Sequence, residues 1–115
     1  MSTKKHKYNA KKVETHEGRF DSKGEWRRWC YLKDLEKRGI IKDLTRQVEF
    51  SIDINDKHIF KYKADAQYSY NGVTITEDYK GMVTAIFRLK KKLMLAILGI
   101  DVKIVKEPSL HPKDF

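Results

Sequence analysis

The sequence has almost no cysteine and no long hydrophobic run, and each shortage excludes a class of protein. A single cysteine, Cys30, occurs among the 115 residues. It excludes an internal disulfide framework and a zinc cluster built on cysteines, and it fits a reducing cytoplasm. No apolar run approaches the roughly 18–20 residues of a membrane-spanning helix. A Gly-rich phosphate loop of the Walker type is also missing, which argues against a nucleoside triphosphatase of that kind.

Acidic residues are also in short supply. The chain carries 16 Asp plus Glu against 25 Lys plus Arg, which gives a formal net charge of +9. Such an excess makes a polyanion the first expected partner, although charge alone does not separate nucleic acid from anionic lipid. Hydrophobic residues make up 40% of the chain, which is enough to build a packed core, and the length suits one domain.

The positive charge is concentrated at the start of the chain. Residues 1–12 contain five lysines and no acid, a composition that predicts a flexible basic arm. Such an arm either contacts phosphates or only keeps the protein soluble. The folded domain is then expected at residues 13–106, followed by a poorly ordered tail at 107–115, which contains Pro108 and Pro112.

Hydrophobic periodicity predicts two helices and four strands in the order α-β-β-β-α-β. This order is typical of an α/β domain in which helices flank a mixed sheet. Ser22 followed by Glu25 has the spacing of a capping box that begins the first helix, and Asn71-Gly72 is a strong hairpin signal between the second and third strands. The predicted bounds in chain order are 22–38 (helix), 46–54, 59–70 and 73–80 (strands), 84–98 (helix) and 102–105 (strand).

The second predicted helix is amphipathic. A stripe of apolar residues at helical spacing is typical of the face that packs on a core. The side opposite the stripe is basic, and it is either a solvated surface or a surface that follows a phosphate backbone. The apolar residues are Ile86, Leu89, Leu93 and Ile97, and the basic ones are Arg88, Lys91 and Lys92.

The third predicted strand contains the candidate site. Counting back from the Asn71-Gly72 turn places Asp65 opposite Asp78 across the hairpin. Two opposed carboxylates repel each other in an ordinary sheet, whereas a divalent cation such as Mg²⁺ prefers such oxygen ligands. Lys80 projects on the same side as Asp78 and is placed to stabilise phosphate charge or to orient water. The alternative is two unrelated surface acids, one of them paired with Lys80.

Glu25 has two interpretations. As the fourth residue of the capping box it closes the start of the first helix. Because Glu25 also lies four residues before Trp29, its carboxylate is expected at the edge of the helix face that meets the sheet. From there it would be able to join Asp65 and Asp78 in holding a cation.

Four motifs together resemble those of a known family. The sequence is similar, from Lys7 to about Val105, to a small bacteriophage family long catalogued only as a domain of unknown function, which is placed among the PD-(D/E)XK nucleases. Some members of that family are described as endonucleases that resemble Holliday junction resolvases. The motifs are YNAKK at 8–12, FDSKGE at 20–25, KAD at 63–65 and EDYKG at 77–81.

The resemblance implies a fold and a set of site residues. It implies a PD-(D/E)XK, restriction-endonuclease-like domain with the α-β-β-β-α-β core. Asp65 and Asp78 would be metal ligands, joined by Glu25 and the backbone carbonyl of Tyr79, and Lys80 would be the catalytic lysine. The implied cofactor is Mg²⁺ or Mn²⁺. The expected DNA contacts are Lys7, Lys11, Lys12, Arg88, Lys91 and Lys92.

Two details of the motifs bear on these roles. Lys63-Ala64 stands where the superfamily's name has a proline before the acid, and this substitution leaves the ligand Asp65 unaffected. Glu77 is a second acid beside Asp78, but strand alternation directs it to the other face of the sheet. Asp78 is therefore the acid of the (D/E)-x-K element.

The primary hypothesis is a phage-encoded, metal-dependent endodeoxyribonuclease in the host bacterial cytoplasm, with Holliday junctions or other branched DNA as candidate substrates. A homodimer is expected if it resolves junctions, because resolution needs two coordinated cuts and one domain of this size offers one active site. The alternatives are a non-catalytic nucleic-acid-binding protein on the same fold and an adaptor that recruits host proteins. Substitution of either strand acid separates cutting from binding.

Overall fold

The structure, a computed structural model, describes residues 12–106 and has a mixed α/β architecture. The predicted α-β-β-β-α-β order is confirmed, and a short hairpin that the sequence analysis missed precedes it. The predicted tail and the basic arm, apart from Lys12, lie outside the described residues. The elements are β1 (Val13–Thr15), β2 (Gly18–Phe20), α1 (Lys23–Lys37), β3 (Lys42–Ile54), β4 (Lys57–Tyr70), β5 (Val73–Tyr79), α2 (Ala85–Leu93) and β6 (Lys103–Val105).

The main sheet has four strands in the order β3-β4-β5-β6. The first three strands are antiparallel and β6 is parallel to β5, so α2 lies in the crossover between them. Asn71 and Gly72 both have left-handed backbone angles, with φ of 51° and 79°, as a two-residue hairpin turn requires. The pairing runs from Tyr70↔Val73 to Ala66↔Glu77. The next residues along the two strands are Asp65 and Asp78.

The helix α1 begins and ends where its capping residues predict. The Ser22 side chain accepts a hydrogen bond from the Glu25 N–H at 3.0 Å, and Gly39 follows the helix with a φ of 78°. The buried face of α1, which includes Leu32 and Leu35, packs with Tyr68 of β4 in one core cluster. This packing holds the first turn of the helix near the end of the β4–β5 ladder.

The helix α2 packs through a different face from the predicted one. Its inward residues are Phe87 and, in the π-helical turn Met94–Leu98 that continues the helix, Met94. The predicted stripe faces outward, since Ile86 is 60% and Leu89 is 52% exposed. The prediction was wrong because both faces are apolar, and periodicity alone cannot tell which of them covers the sheet.

The two helices cover different parts of β4. Tyr62 and Ala64 belong to the core cluster under α2, whereas Ala66 and Tyr68 belong to the cluster under α1. The change occurs at Asp65, which therefore lies where the two cores meet. None of the helices in residues 12–106 is long and apolar enough to cross a membrane.

Candidate functional site

Asp65 and Asp78 lie face to face just beyond the paired part of β4 and β5. Asp78 Oδ1 accepts a hydrogen bond from the Asp65 N–H at 2.9 Å, and Asp65 Oδ2 accepts one from the Tyr79 N–H at 2.8 Å. Each carboxylate is thus fixed by a backbone amide of the opposite strand. The register counted from the Asn71-Gly72 turn predicted this placement.

Both carboxylates are removed from water. Asp78 is 1% exposed and Asp65 is half-buried. Burial raises the pKa of Asp65 to about 7, and the Glu25 charge adds to this effect, while the Tyr79 amide opposes it. Burial also raises the pKa of Asp78 to about 6, against the opposing charge of Lys80. In the metal-free protein these acids are therefore costly to ionise at neutral pH.

Glu25 takes part in both arrangements expected from the sequence. Its Oε1 accepts a hydrogen bond from the Asp21 N–H at 3.2 Å, so it closes the helix start one residue before the position that a capping box uses. It also lies close enough to Asp65 for its charge to raise the pKa of that acid. Burial, followed by repulsion from Asp21, raises the pKa of Glu25.

Lys80 lies beside the acid cluster, defined here as Glu25, Asp65 and Asp78. Its Nζ is 4.4 Å from the centroid of the Phe87 ring, within the range of a cation–π interaction. Its backbone N–H donates to the Val105 carbonyl at 2.9 Å, which ties it to β6. Its positive charge lowers the pKa of both strand acids against the effect of burial.

The structure adds three residues that sequence reasoning missed. The Tyr62 hydroxyl donates a hydrogen bond to Asp78 Oδ2. The ring of Tyr79 packs so closely on Gly24 that a Cβ atom there would collide with it. Gly24 lies in the first turn of the helix, where glycine costs stability relative to alanine. Its presence there was a signal that the Tyr79 ring approaches closely.

Arg28 is the third residue that sequence reasoning missed, and it forms a buried ion pair with Glu77. Its Nε and Nη2 each donate to the Glu77 carboxylate at 2.8 Å, and the Tyr68 hydroxyl donates to Glu77 Oε1 at 2.6 Å. Glu77 therefore points away from Asp78, as strand alternation predicted. The pair joins α1 to β5 and so fixes the helix that carries Glu25.

The predicted DNA-contacting residues are spread over the surface. Lys12 pairs with Asp21 at 3.3 Å, the residue whose N–H donates to Glu25. Lys91 pairs with Asp101 at 2.7 Å. The remaining described positions, Arg88 and Lys92, are exposed on α2, and Lys7 and Lys11 lie outside the described residues.

The donor set fits a hard divalent cation in chemistry, though not as a preformed centre. Within residues 12–106, no three His, Cys, Asp or Glu side chains form a group that could hold a metal ion. However, the carboxylates of Asp65 and Asp78 are each bonded to a backbone amide of the other's strand, and Mg²⁺ commonly uses one or two carboxylates and completes its shell with water and substrate phosphate.

Fold and site together define an α/β domain with a buried acid cluster at the junction of its two cores. The family model described as Protein of unknown function (DUF1064) matches residues 5–106, and the chain belongs to this family. The match covers every residue of the acid cluster together with Lys80. A search of curated proteins found no match.

Proposed function

We propose that the protein is a metal-dependent endodeoxyribonuclease of the PD-(D/E)XK type. The observation that carries this proposal is the facing pair of a half-buried Asp65 and a buried Asp78, with Lys80 beside them. Burying two neighbouring carboxylates opposes folding, and a bound divalent cation would reverse that effect. The fold order agrees with the core of that superfamily.

The strand acids and the Tyr79 carbonyl would hold Mg²⁺ or Mn²⁺, and Glu25 would assist from its place close to Asp65. When bound, the cation would supply charge that activates the attacking water and stabilises the leaving oxygen. Lys80 contributes a second positive charge on the same side, where it would orient the scissile phosphate and stabilise its developing negative charge.

Basic side chains away from the acid cluster would hold the DNA backbone. Arg88 and Lys92 are exposed on α2, and Lys12 is close to the acid cluster through Asp21. Contacts of this kind position a duplex without reading its sequence. With Lys7, Lys11 and Lys91 they would form the DNA-contacting set.

The proposed biological setting follows the phage resemblance. The protein would act in the host bacterial cytoplasm on branched DNA, with the Holliday junction as the first candidate. Two coordinated cuts across a junction would require a homodimer, since each chain supplies one acid cluster.

Cleavage assays on linear, nicked and four-way-junction DNA, each in Mg²⁺ and in EDTA, test the proposal. We expect metal-dependent cutting by the wild type. Asp65→Ala and Asp78→Ala should each lower cutting by at least about 100-fold and leave DNA binding intact or stronger, since an acid near phosphate is removed. Asp53→Ala is the matched control, because this exposed acid pairs with His58 far along β4.

Three outcomes would contradict the proposal. Cutting at the wild-type rate by both strand-acid variants would exclude this site. Salt-sensitive DNA binding without cutting by the wild type would instead identify a nucleic-acid-binding protein, and the absence of both binding and cutting would favour an adaptor.

A further inference from the structure

Two aromatic side chains contact Asp78 and Lys80, the two residues of the (D/E)-x-K motif. Tyr62 of β4 contacts Asp78 through its hydroxyl, and Phe87 of α2 contacts Lys80 through its ring face. The two rings are 6.4 Å apart at their centroids, with 35° between their planes. They are 5% and 6% exposed, so they form one buried unit.

The Tyr62 hydroxyl completes the orientation of the Asp78 carboxylate. Asp78 Oδ1 is held by the Asp65 N–H at 2.9 Å, and Oδ2 is held by Tyr62. With a donor on each oxygen, the carboxylate has one preferred rotation, and its remaining lone pairs point in fixed directions. A phenylalanine would fill the same space, so packing alone does not explain the hydroxyl.

Phe87 has the corresponding relation to Lys80. A lysine side chain has four rotatable bonds, and its ammonium is normally mobile in water. Here the ammonium lies 4.4 Å from the ring centroid, which favours one position of the charge. Because Phe87 is fixed in the core under α2, the docking of that helix sets where the charge lies.

We propose that Tyr62 and Phe87 are positioning residues of the metal centre: Tyr62 fixes the ligand Asp78, and Phe87 fixes the ammonium of Lys80. This inference rests on the proposed nuclease function and adds two residues that contact neither metal nor DNA. It also assigns them separate effects, one on cation binding and one on the chemical step.

Tyr62→Phe tests the first assignment by titration of the DNA-free protein with Mn²⁺ in a calorimeter. We expect its affinity for Mn²⁺ to fall about 10- to 100-fold, as for other groups that orient a metal ligand. Tyr68→Phe is the matched control: it lies on the same strand and loses a hydroxyl donated to Glu77, so its Mn²⁺ affinity should equal that of the wild type.

Phe87→Leu tests the second assignment in cleavage assays at saturating Mg²⁺. We expect kcat to fall about tenfold with little change in Mn²⁺ affinity, a size typical of a partly buried cation–π contact. Phe87→Tyr retains the ring face and should restore most of kcat. Thermal unfolding of each variant shows that the domain is folded at the assay temperature.

The outcomes separate the inference from the function on which it rests. If the wild type binds Mn²⁺ and cuts DNA but Tyr62→Phe binds Mn²⁺ as tightly, or Phe87→Leu keeps the wild-type kcat, the corresponding assignment is wrong while the nuclease proposal stands. If the wild type neither binds Mn²⁺ nor cuts DNA, both are overturned.

Discussion

Asp65, Asp78 and Glu25 each have a raised pKa, and burial is the largest cause for all three. The backbone amides of Tyr79 and Asp65 oppose this effect without cancelling it, since they supply only one hydrogen bond to each strand acid. A protein gains nothing in stability from such a group. The proposed cation would account for its presence, because the positive charge favours the ionised form.

This leads to a pH prediction for the metal-free protein. The folded-state pKa of Asp65 is about 7, against an ordinary value of 3.8, so the folded chain binds more protons than the unfolded one between these values. The free energy of unfolding should therefore fall as pH rises from about 4 to about 7, with a slope of up to ~1.4 kcal/mol per pH unit for each proton. Urea denaturation in EDTA measures it.

Asp65→Asn is the control for that pH dependence. The variant lacks the titrating carboxyl, so its free energy of unfolding should fall less steeply than that of the wild type over the same window. Acids that do not interact with Asp65 titrate equally in both proteins, and the comparison removes their contribution; what is left belongs to Asp65 and to its interaction with Glu25. An identical slope in the two proteins would contradict the assignment of the raised pKa to Asp65.

The candidate site was predictable to the extent that it depends on local pattern. The Asn71-Gly72 turn sets the register, and the register places Asp65 opposite Asp78. The contact of Tyr62 with Asp78 was not predictable from the register, because it lies beyond the paired part of the β4–β5 hairpin. The contact of Arg28 with Glu77 was not predictable because it joins α1 to a strand 49 residues further along the chain, and it depends on how that helix docks.

At the scale of elements, α1 is held against the sheet by a buried ion pair as well as by its apolar face. Arg28 and Glu77 are 2% and 1% exposed in their side chains, and they connect the helix that carries Glu25 to the strand that carries Asp78. The ends of α1 were predicted by Ser22 and Gly39. The start of β3 was not, since the strand begins at Lys42 and the prediction was Arg46. Nor was the inward face of α2, because two apolar faces compete for it.

Arg28→Met should destabilise the protein by about 3–5 kcal/mol, because it removes the guanidinium that pairs with the buried Glu77 carboxylate. The double variant Arg28→Met/Glu77→Met removes both charges, and we expect it to recover most of that loss. Urea denaturation at neutral pH measures all three free energies of unfolding. A double variant as unstable as the single one would show that the ion pair is not the cause.

At the scale of the whole molecule, two core clusters meet at the acid cluster. The α1 core approaches it from the side of Ala66 and the α2 core from the side of Ala64, with Asp65 between them. A basic protein thus keeps three of its acids at the place where its two halves join. A cation bound there would connect β4, β5 and α1, so it would stabilise the junction of the two core clusters rather than one element alone.

The corresponding prediction is that Mg²⁺ or Mn²⁺ raises the thermal midpoint of the protein in the absence of DNA. A ligand present at 100 times its Kd adds about 2.7 kcal/mol to the free energy of unfolding if it binds only the folded state. For a domain of this size the midpoint should then rise by roughly 10 °C. Asp53→Asn should keep this shift, because Asp53 lies outside the acid cluster. Asp78→Asn should lose most of it. An equal shift in both variants would indicate a general salt effect and exclude the cation from the junction of the two cores.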